Sequence, residues 1–171
     1  MIVLVLGGAR SGKSVVAEHR SADLAGADGA VTVIATAVVT DDDMAARVAE
    51  HRARRPPAWA TFEAGARLAG ALIAVRGVAL VDSLGTWVAG APDMRVDIDE
   101  LCNAVTGRGD DTVVVSEEVG MGVHRSSEAG RRFRDALGSV NQAVAAIADE
   151  VLLVVAGRTL ALDGGGGGGA R

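Results

Sequence analysis

Cysteine and aromatic residues are scarce in this sequence, and each shortage excludes a class of structure. A single cysteine, Cys102, rules out an intrachain disulfide and a zinc site built on cysteines. Aromatic residues make up only 2% of the chain and hydrophobic residues 49%, so the core has to be built from Val, Leu, Ile and Ala. An aliphatic core of this kind is typical of buried parallel strands flanked by alanine-rich helices.

Positive charge is also in short supply. The net charge of −5 at pH 7 and the isoelectric point near 5.1 disfavour a general binder of nucleic acids or anionic membranes. No apolar run reaches the roughly 18 residues that a membrane span needs, and no basic stretch precedes an apolar one at the N-terminus. We therefore expect a cytoplasmic protein with no membrane span and no nucleic-acid partner.

The chain length predicts one domain. Its 171 residues can bury a sizeable core without a metal or a disulfide, and we expect that domain to span residues 1–163. Residues 164–171 begin with six consecutive glycines, a composition typical of flexible chain that does not pack. We expect this segment to be a tail without a role in function.

Short apolar runs recur along the chain, with helical patterns or loops between most of them. The predicted strands are Ile2–Leu6, Val31–Ala35, Val78–Val81, Thr112–Val115 and Val151–Val155. The first predicted helix opens in a glycine-rich loop and ends near Leu24, before a turn at Asp23–Gly29. Further helices are predicted from Asp41–Asp43 to the "RRPP" segment, at Gly65–Val75, at Ile98–Val105 and, as the longest, at Ser126–Ala148. The alternation predicts an α/β fold, with a mostly parallel sheet and helices on both faces.

The one lysine of the chain, Lys13, lies in "GGARSGKS", directly after the first predicted strand; the other sixteen of the 17 Lys and Arg residues are arginines. This is a complete P-loop in its required context, formed by Gly7, Gly8, Ala9, Arg10, Ser11, Gly12, Lys13 and Ser14. Its backbone N–H groups and the following helix N-terminus favour phosphate. A compact ammonium can bridge two phosphates where a planar guanidinium is too wide. The motif predicts a P-loop NTPase-type fold; the alternative is a glycine-rich strand–helix turn.

Two oxygen ligands suit a Mg²⁺ ion that bridges the nucleotide phosphates. Ser14 ends the P-loop motif, and Asp82 ends the strand in "VALVDSLG", where an acid can reach that ion. Without the P-loop, Asp82 would be interpreted as a helix cap. A Ras-type GTPase is disfavoured because its guanine-reading motif needs a second lysine.

A second group of candidate residues lies in the second predicted helix. Helical spacing places Arg47 and His51 on one face, and Arg52, Arg54 and Arg55 follow in the last turn. Such a cluster can attract a triphosphate. The alternative is a solvated helix C-terminus, where cations are favoured by the helix dipole.

Several further segments occur in a fixed order over residues 2 to 160. After the P-loop come "IAT" (34–36), "DDDMAARVAEHRARRP", "WATFE", "LVDSLGTW", "SEEVGMG" and "FRDALGSVNQAVAAIADEVLLVVAG". Together they resemble the bifunctional adenosylcobinamide kinase/adenosylcobinamide-phosphate guanylyltransferase family of cobalamin biosynthesis. The segment around His51 and the pair formed by "EVGMG" and "VNQ" are more specific than the P-loop.

The resemblance implies roles for particular residues. It implies that His51 is guanylylated by GTP, and that the family assembles as a homotrimer. It implies that nucleotide or metal is contacted by the P-loop and by Ile34, Ala35, Thr36, Arg52, Ala53, Arg54, Arg55, Glu63 and Asp82. Glu63 would suit a guanine reader, because a carboxylate accepts from both N1–H and the exocyclic amine.

The resemblance also implies two reactions. In the first, a hydroxyl of cobinamide attacks the γ-phosphate of ATP or GTP held by Lys13, Mg²⁺ and Asp82. In the second, His51 attacks the α-phosphate of GTP, and the corrinoid phosphate then takes the GMP group to give adenosylcobinamide-GDP.

Glu118, at the end of the strand that begins at Thr112, either accepts the hydroxyl proton or holds a backbone or arginine partner in place. Two rival functions remain open on the residues alone. One is a small-metabolite kinase with no covalent nucleotide, and the other is a nucleotide-dependent switch or scaffold.

Overall fold

The computed structural model describes residues 1–27, 29–37, 42–121 and 127–162. For residues 42–44, 47 and 51 it describes the main chain only. The expected glycine-rich tail, the predicted cap at Asp41 and the predicted helix start at Ser126 lie outside the described residues.

Within the described residues, seven strands form one sheet in the order β3-β2-β4-β5-β1-β6-β7. The strands are β1 (Ile2–Gly7), β2 (Val31–Ala35), β3 (Ala60–Glu63), β4 (Val78–Asp82), β5 (Thr112–Glu117), β6 (Glu150–Val155) and β7 (Arg158–Ala161). All neighbouring pairs are parallel except β6 and β7, which are antiparallel. The predicted mostly parallel α/β sheet is confirmed.

Six α-helices lie in the part of the chain that the structure describes. They are α1 (Lys13–Ala25), α2 (Asp42–Arg54), α3 (Leu68–Ala74), α4 (Leu84–Gly90), α5 (Ile98–Thr106) and α6 (Glu128–Ile147), with one 3₁₀ turn at Pro92–Met94. Ser127 caps α6 by accepting a hydrogen bond from Gly130 N–H. None of the described helices is both long enough and apolar enough to span a membrane.

Alternate residues of the strands point to opposite faces of the sheet, and helices cover both. Val3 and Val5 pack with Ala17 of α1 on one face. Leu4 and Leu6 pack on the other face, in a cluster that includes Leu137 of α6 and side chains of α3, α4 and α5. Burial on both faces explains why these strands read as continuous apolar runs.

Three elements were absent from the sequence prediction, and some predicted boundaries differ from the observed ones by a few residues. The edge strands β3 and β7 are exposed at every position, so they carry no apolar run that would reveal them. Helix α4 begins at a capping box in which the side chains of Ser83 and Thr86 each accept from the other residue's main-chain N–H. Helix α1 continues to Ala25, so the predicted turn at Asp23–Gly29 starts too early.

Neighbouring residues of α3 give a matched test of the core. Leu72 is 0% exposed and Ile73 is 66% exposed. We expect Leu72→Ala to lower the free energy of unfolding by about 2–5 kcal/mol, because it leaves a cavity beneath the sheet. Ile73→Ala should change it by less than about 0.5 kcal/mol. Urea unfolding of both variants measures this, and equal losses would contradict the placement of α3.

Candidate nucleotide site

The loop between β1 and α1 needs glycine at two of its motif positions. Gly12 has φ of 95°, and a Cβ there would lie 3.3 Å from the Cα of Gly157. A Cβ on Gly7 would lie 2.7 Å from the carbonyl oxygen of Val154 and would clash with Ser11 Oγ. The loop is tied to the β6–β7 turn, since Gly157 N–H donates to the Ser11 carbonyl at 2.8 Å. The strand–loop–helix context that a P-loop requires is present.

Lys13 lies at the first turn of α1 with its side chain mostly buried. Its Nζ is 3.4 Å from the carbonyl oxygen of Gly8 and 3.6 Å from Glu117 Oε1. Its main-chain N–H also donates to Ser11 Oγ at 3.3 Å. The ammonium is therefore held at the loop by one carbonyl and one carboxylate, both of which it can exchange for phosphate oxygens. Ser14 is the next residue of the same turn.

Glu117 is the site residue that the sequence reasoning missed. It ends β5 and pairs in register with Gly7, the first P-loop residue. Ser83 Oγ lies 3.2 Å from each carboxylate oxygen and can donate to either. The sequence prediction gave the apolar part of this strand as Thr112–Val115 and chose Glu118 as the acid at its end. Knowing that β5 pairs with β1 would have identified Glu117, which lies opposite Gly7.

Glu118 follows β5 and differs in its contacts. Its main-chain N–H donates to the Gly7 carbonyl at 3.1 Å, which extends the parallel pairing by one residue. Its carboxylate Oε1 accepts from Gly120 N–H at 2.6 Å. The Glu118 carboxylate therefore contacts the main chain of the loop that follows β5.

Asp82 ends β4, and an arginine from the end of α2 reaches it. Arg55 Nη2 donates to Asp82 Oδ2 at 2.6 Å, and Arg55 Nε donates to Glu18 Oε1 of α1 at 3.4 Å. Arg54 Nη2 also lies 3.6 Å from Glu18 Oε1. These contacts bring the C-terminal end of α2 against α1 and the end of β4.

The remaining predicted residues flank these strand ends. Ile34 and Thr36 are buried, so a nucleotide contact from Ile34 would have to come from its main chain. Thr36 Oγ1 donates to the Ser83 carbonyl at 2.7 Å and accepts from Ser83 N–H at 3.1 Å, which links β2 to the segment after Asp82. Ala35 pairs in register with Glu63, which ends β3.

The arginines at the end of α2 differ in exposure. Arg52 bonds Glu63 at the surface, with side chains 52% and 58% exposed. The Arg55 and Asp82 side chains are 8% and 21% exposed. Ala53 is exposed, and the side chains of Arg47 and His51 lie outside what is described.

Four cations that the sequence assigns to the nucleotide contact carboxylates in the described part of the chain. The pairs are Lys13 with Glu117, Arg52 with Glu63, Arg54 with Glu18 and Glu50, and Arg55 with Asp82 and Glu18. A bound triphosphate would take over some of these cations. The arrangement can therefore bind a polyanion without leaving the cations unpaired when it is absent.

The lone Cys102 lies away from this site on α5. Burial, and after it the charge of Asp99, raise the pKa of its thiol. A thiol shifted in this direction is less often ionised and is therefore a poorer nucleophile at neutral pH.

Comparison with known proteins identifies the family. The family model described as cobinamide kinase / cobinamide phosphate guanyltransferase matches residues 3–162, which include every described element of the site. The chain belongs to this family. The resemblance drawn from the sequence motifs is confirmed, and so is the assignment of the chain as an enzyme of both reaction types.

Three curated members of this family are similar to the chain along nearly their whole length. The bifunctional adenosylcobalamin biosynthesis protein CobP of Pseudomonas aeruginosa is 38% identical over 94% of this chain and 96% of its own. The bifunctional adenosylcobalamin biosynthesis protein CobU of Escherichia coli is 38% identical over 92% of this chain and 97% of its own. The corresponding CobU of Salmonella typhimurium is 37% identical, with the same coverage.

The two ion pairs of α2 should contribute differently to stability. Arg55→Met leaves Asp82 and Glu18 without this cation in a largely buried setting, so we expect a loss of about 2–4 kcal/mol in the free energy of unfolding. Arg52→Met removes an exposed pair, and we expect a loss of less than about 1 kcal/mol. Urea denaturation of the nucleotide-free variants measures both, and a larger loss for Arg52→Met would contradict the docking of α2 through Arg55.

The shape of the lysine, as well as its charge, should matter for nucleotide binding. We expect Lys13→Arg to weaken the affinity for GTP by about tenfold or more, because the wider guanidinium cannot bridge two phosphates from the same position. Arg20→Lys keeps the charge on the same helix outside the site, and its affinity should stay within about twofold. Titration calorimetry measures both affinities; unchanged binding by Lys13→Arg would show that any cation suffices.

Proposed function

We propose that this chain phosphorylates a corrinoid, adenosylcobinamide, and then transfers GMP from GTP to it through a guanylyl-histidine at His51. The observation that carries the proposal is the 2.6 Å contact between Arg55 of the His-Arg segment and Asp82. It joins the end of the helix that contains His51 to the end of β4, which is separated by one strand, β5, from β1 and its P-loop. One triphosphate can then span both groups of residues.

The phosphoryl transfer depends on charge and position. Lys13 and the N–H groups of residues 7–14 bind the terminal phosphates of ATP or GTP, and the corrinoid hydroxyl attacks the γ-phosphate. The main chain of Ile34, Ala35 and Thr36 borders the nucleotide at the end of β2. Glu63 at the next strand end would read guanine.

The guanylyl transfer takes place in two displacements. His51 nitrogen forms a bond to the α-phosphorus of GTP, the bond from that phosphorus to the bridging oxygen breaks, and pyrophosphate leaves. A phosphate oxygen of the corrinoid then bonds to the same phosphorus and releases His51. Arg52, Arg54 and Arg55 bind the phosphates during these steps, which frees them from Glu63, Glu18 and Asp82.

The donor set fits a Mg²⁺ ion. Ser14 supplies a hydroxyl and Asp82 a carboxylate, and oxygen ligands of this kind, together with phosphates, are those that Mg²⁺ prefers. In the nucleotide-free protein the Asp82 carboxylate contacts the guanidinium of Arg55, so it already lies beside a positive charge. When bound with the nucleotide, the ion would neutralise phosphate charge.

We further propose that the chain assembles as a homotrimer in the cytoplasm. The trimer is supported by the family resemblance, and the location by the lone cysteine and the use of nucleoside triphosphates. Light scattering should give three times the 17.3 kDa of one chain. The mass of a monomer or a dimer would contradict it.

A labelling experiment tests the covalent intermediate. We expect GTP labelled at the α-phosphate, with Mg²⁺, to leave label on the denatured wild-type protein that is acid-labile and alkali-stable, as a phosphoramidate requires. His51→Ala should lose this label. His19→Ala, which removes the histidine of α1, should keep it. A protein that binds GTP but takes no label would contradict the covalent mechanism and favour a kinase alone.

A further inference from the structure

The carboxylate of Glu117 lies between the two motifs that bind the nucleotide. Its Oε1 is 3.6 Å from the ammonium of Lys13, and both of its oxygens are 3.2 Å from Ser83 Oγ, on the residue after Asp82. Strand β5, which ends at Glu117, runs between β1 and β4 in the sheet. The carboxylate therefore faces the space that the terminal phosphates of the nucleotide would enter.

Contacts from two helices, α4 and α6, fix the position of Glu117. Ser83 at the start of α4 is buried and can donate to the carboxylate. The absence of a side chain at Gly85 leaves room for it, because a Cβ there would clash with Glu117 Oε2. Asn141 of α6 donates to the Glu117 carbonyl at 3.1 Å and accepts from Ser116 Oγ at 2.6 Å. The start of α4 and the middle of α6, which pack on the same face of the sheet, therefore hold the end of β5.

The neighbouring acid, Glu118, contacts the loop after β5 and not Lys13. The carboxylate of Glu118, which the sequence leaves open as a base or a structural partner, accepts from Gly120 N–H at 2.6 Å. A P-loop lysine contacts the β- and γ-phosphates. A carboxylate within ion-pair distance of that lysine borders the phosphoryl group that is transferred, and this describes Glu117.

We propose that Glu117 is the base of the kinase reaction, which takes the proton of the corrinoid hydroxyl. The hydroxyl oxygen forms a bond to the γ-phosphorus, and the bond from that phosphorus to the β,γ-bridging oxygen breaks. The electron pair of that bond stays on the nucleoside diphosphate. The proton moves to a carboxylate oxygen of Glu117 and from there to water, which reaches the side chain because it is 29% exposed.

Lys13 serves two functions in this arrangement. It binds the phosphates, and its positive charge offsets the repulsion between the carboxylate of Glu117 and the triphosphate. The guanylyl transfer does not need this base, because its nucleophiles are an imidazole nitrogen and a phosphate oxygen. The assignment rests on the kinase half of the proposed function and is independent of the guanylyl-histidine.

Glu117→Gln tests the assignment, because the amide keeps the shape and the acceptor for Ser83 but cannot take a proton at neutral pH. Kinase turnover is measured from phosphorylated cobinamide, with ATP and with GTP as donors. We expect kcat to fall by about 10²-fold or more, while KM for the nucleotide stays within about threefold. If Glu117 merely holds Lys13 in place, the KM for the nucleotide will change and kcat will not; that result would overturn the proposal.

Three further variants make the comparison specific. Gly85→Ala should lower kcat by about tenfold because its Cβ displaces the carboxylate, while Gly90→Ala, at an open position of the same helix, should stay within about twofold. A loss in Glu118→Gln as large as in Glu117→Gln, or larger, would overturn the assignment. Wild-type protein that binds nucleotide but does not phosphorylate cobinamide would overturn the kinase function together with it. An active wild type with an active Glu117→Gln would overturn the role of Glu117 alone.

Discussion

The parallel register of β4, β5 and β1 is the constraint on which the site depends. Because the three strands run the same way, their carboxyl ends meet at one edge of the sheet, as ligand sites in open α/β sheets generally require. Asp82, Glu117 and Gly7 stand at these ends. The apolar residues of the same strands fix that register by packing against helices on both faces, so the core and the site are specified by the same hydrogen-bond ladder.

The charges of the site are balanced inside the protein before any nucleotide binds. Lys13 and Arg55 each contact an acid that lies at a strand end. When no triphosphate is bound, these cations are paired with carboxylates. Binding a triphosphate therefore replaces the carboxylate partners of Lys13 and Arg55 with phosphate oxygens. In the functions proposed above, the acids released by this exchange act next: Asp82 would bind a metal ion, and Glu117 would take a proton from the hydroxyl.

Sequence reasoning succeeded where a local pattern is enforced by a local physical need. The P-loop was found because its glycines are required by a positive φ and by close backbone contacts, as at Gly12. The five buried strands were found because burial on both faces makes them uniformly apolar. The strands β3 and β7 were missed because exposed edge strands lack that pattern.

The candidate site was predictable only in part, because two of its features depend on which strands are neighbours. Glu117 stands one residue before Glu118, and no periodicity in the sequence distinguishes the two acids. What distinguishes Glu117 is that it lies opposite Gly7 in the pairing of β5 with β1. Likewise, nothing local to the arginine-rich helix says that Arg55 meets Asp82, 27 residues further along the chain. The role of His51 rests on the resemblance to the family, since its neighbours alone also fit a solvated helix end.

A crystal structure with a non-hydrolysable GTP analogue and Mg²⁺ tests the central claim, the exchange of partners, most directly. We predict that the terminal phosphates lie in the loop formed by residues 7–14, with Lys13 Nζ bonded to them, and that Arg55 has left Asp82 for a phosphate. A nucleotide bound elsewhere, with the Lys13–Glu117 and Arg55–Asp82 pairs intact, would contradict it.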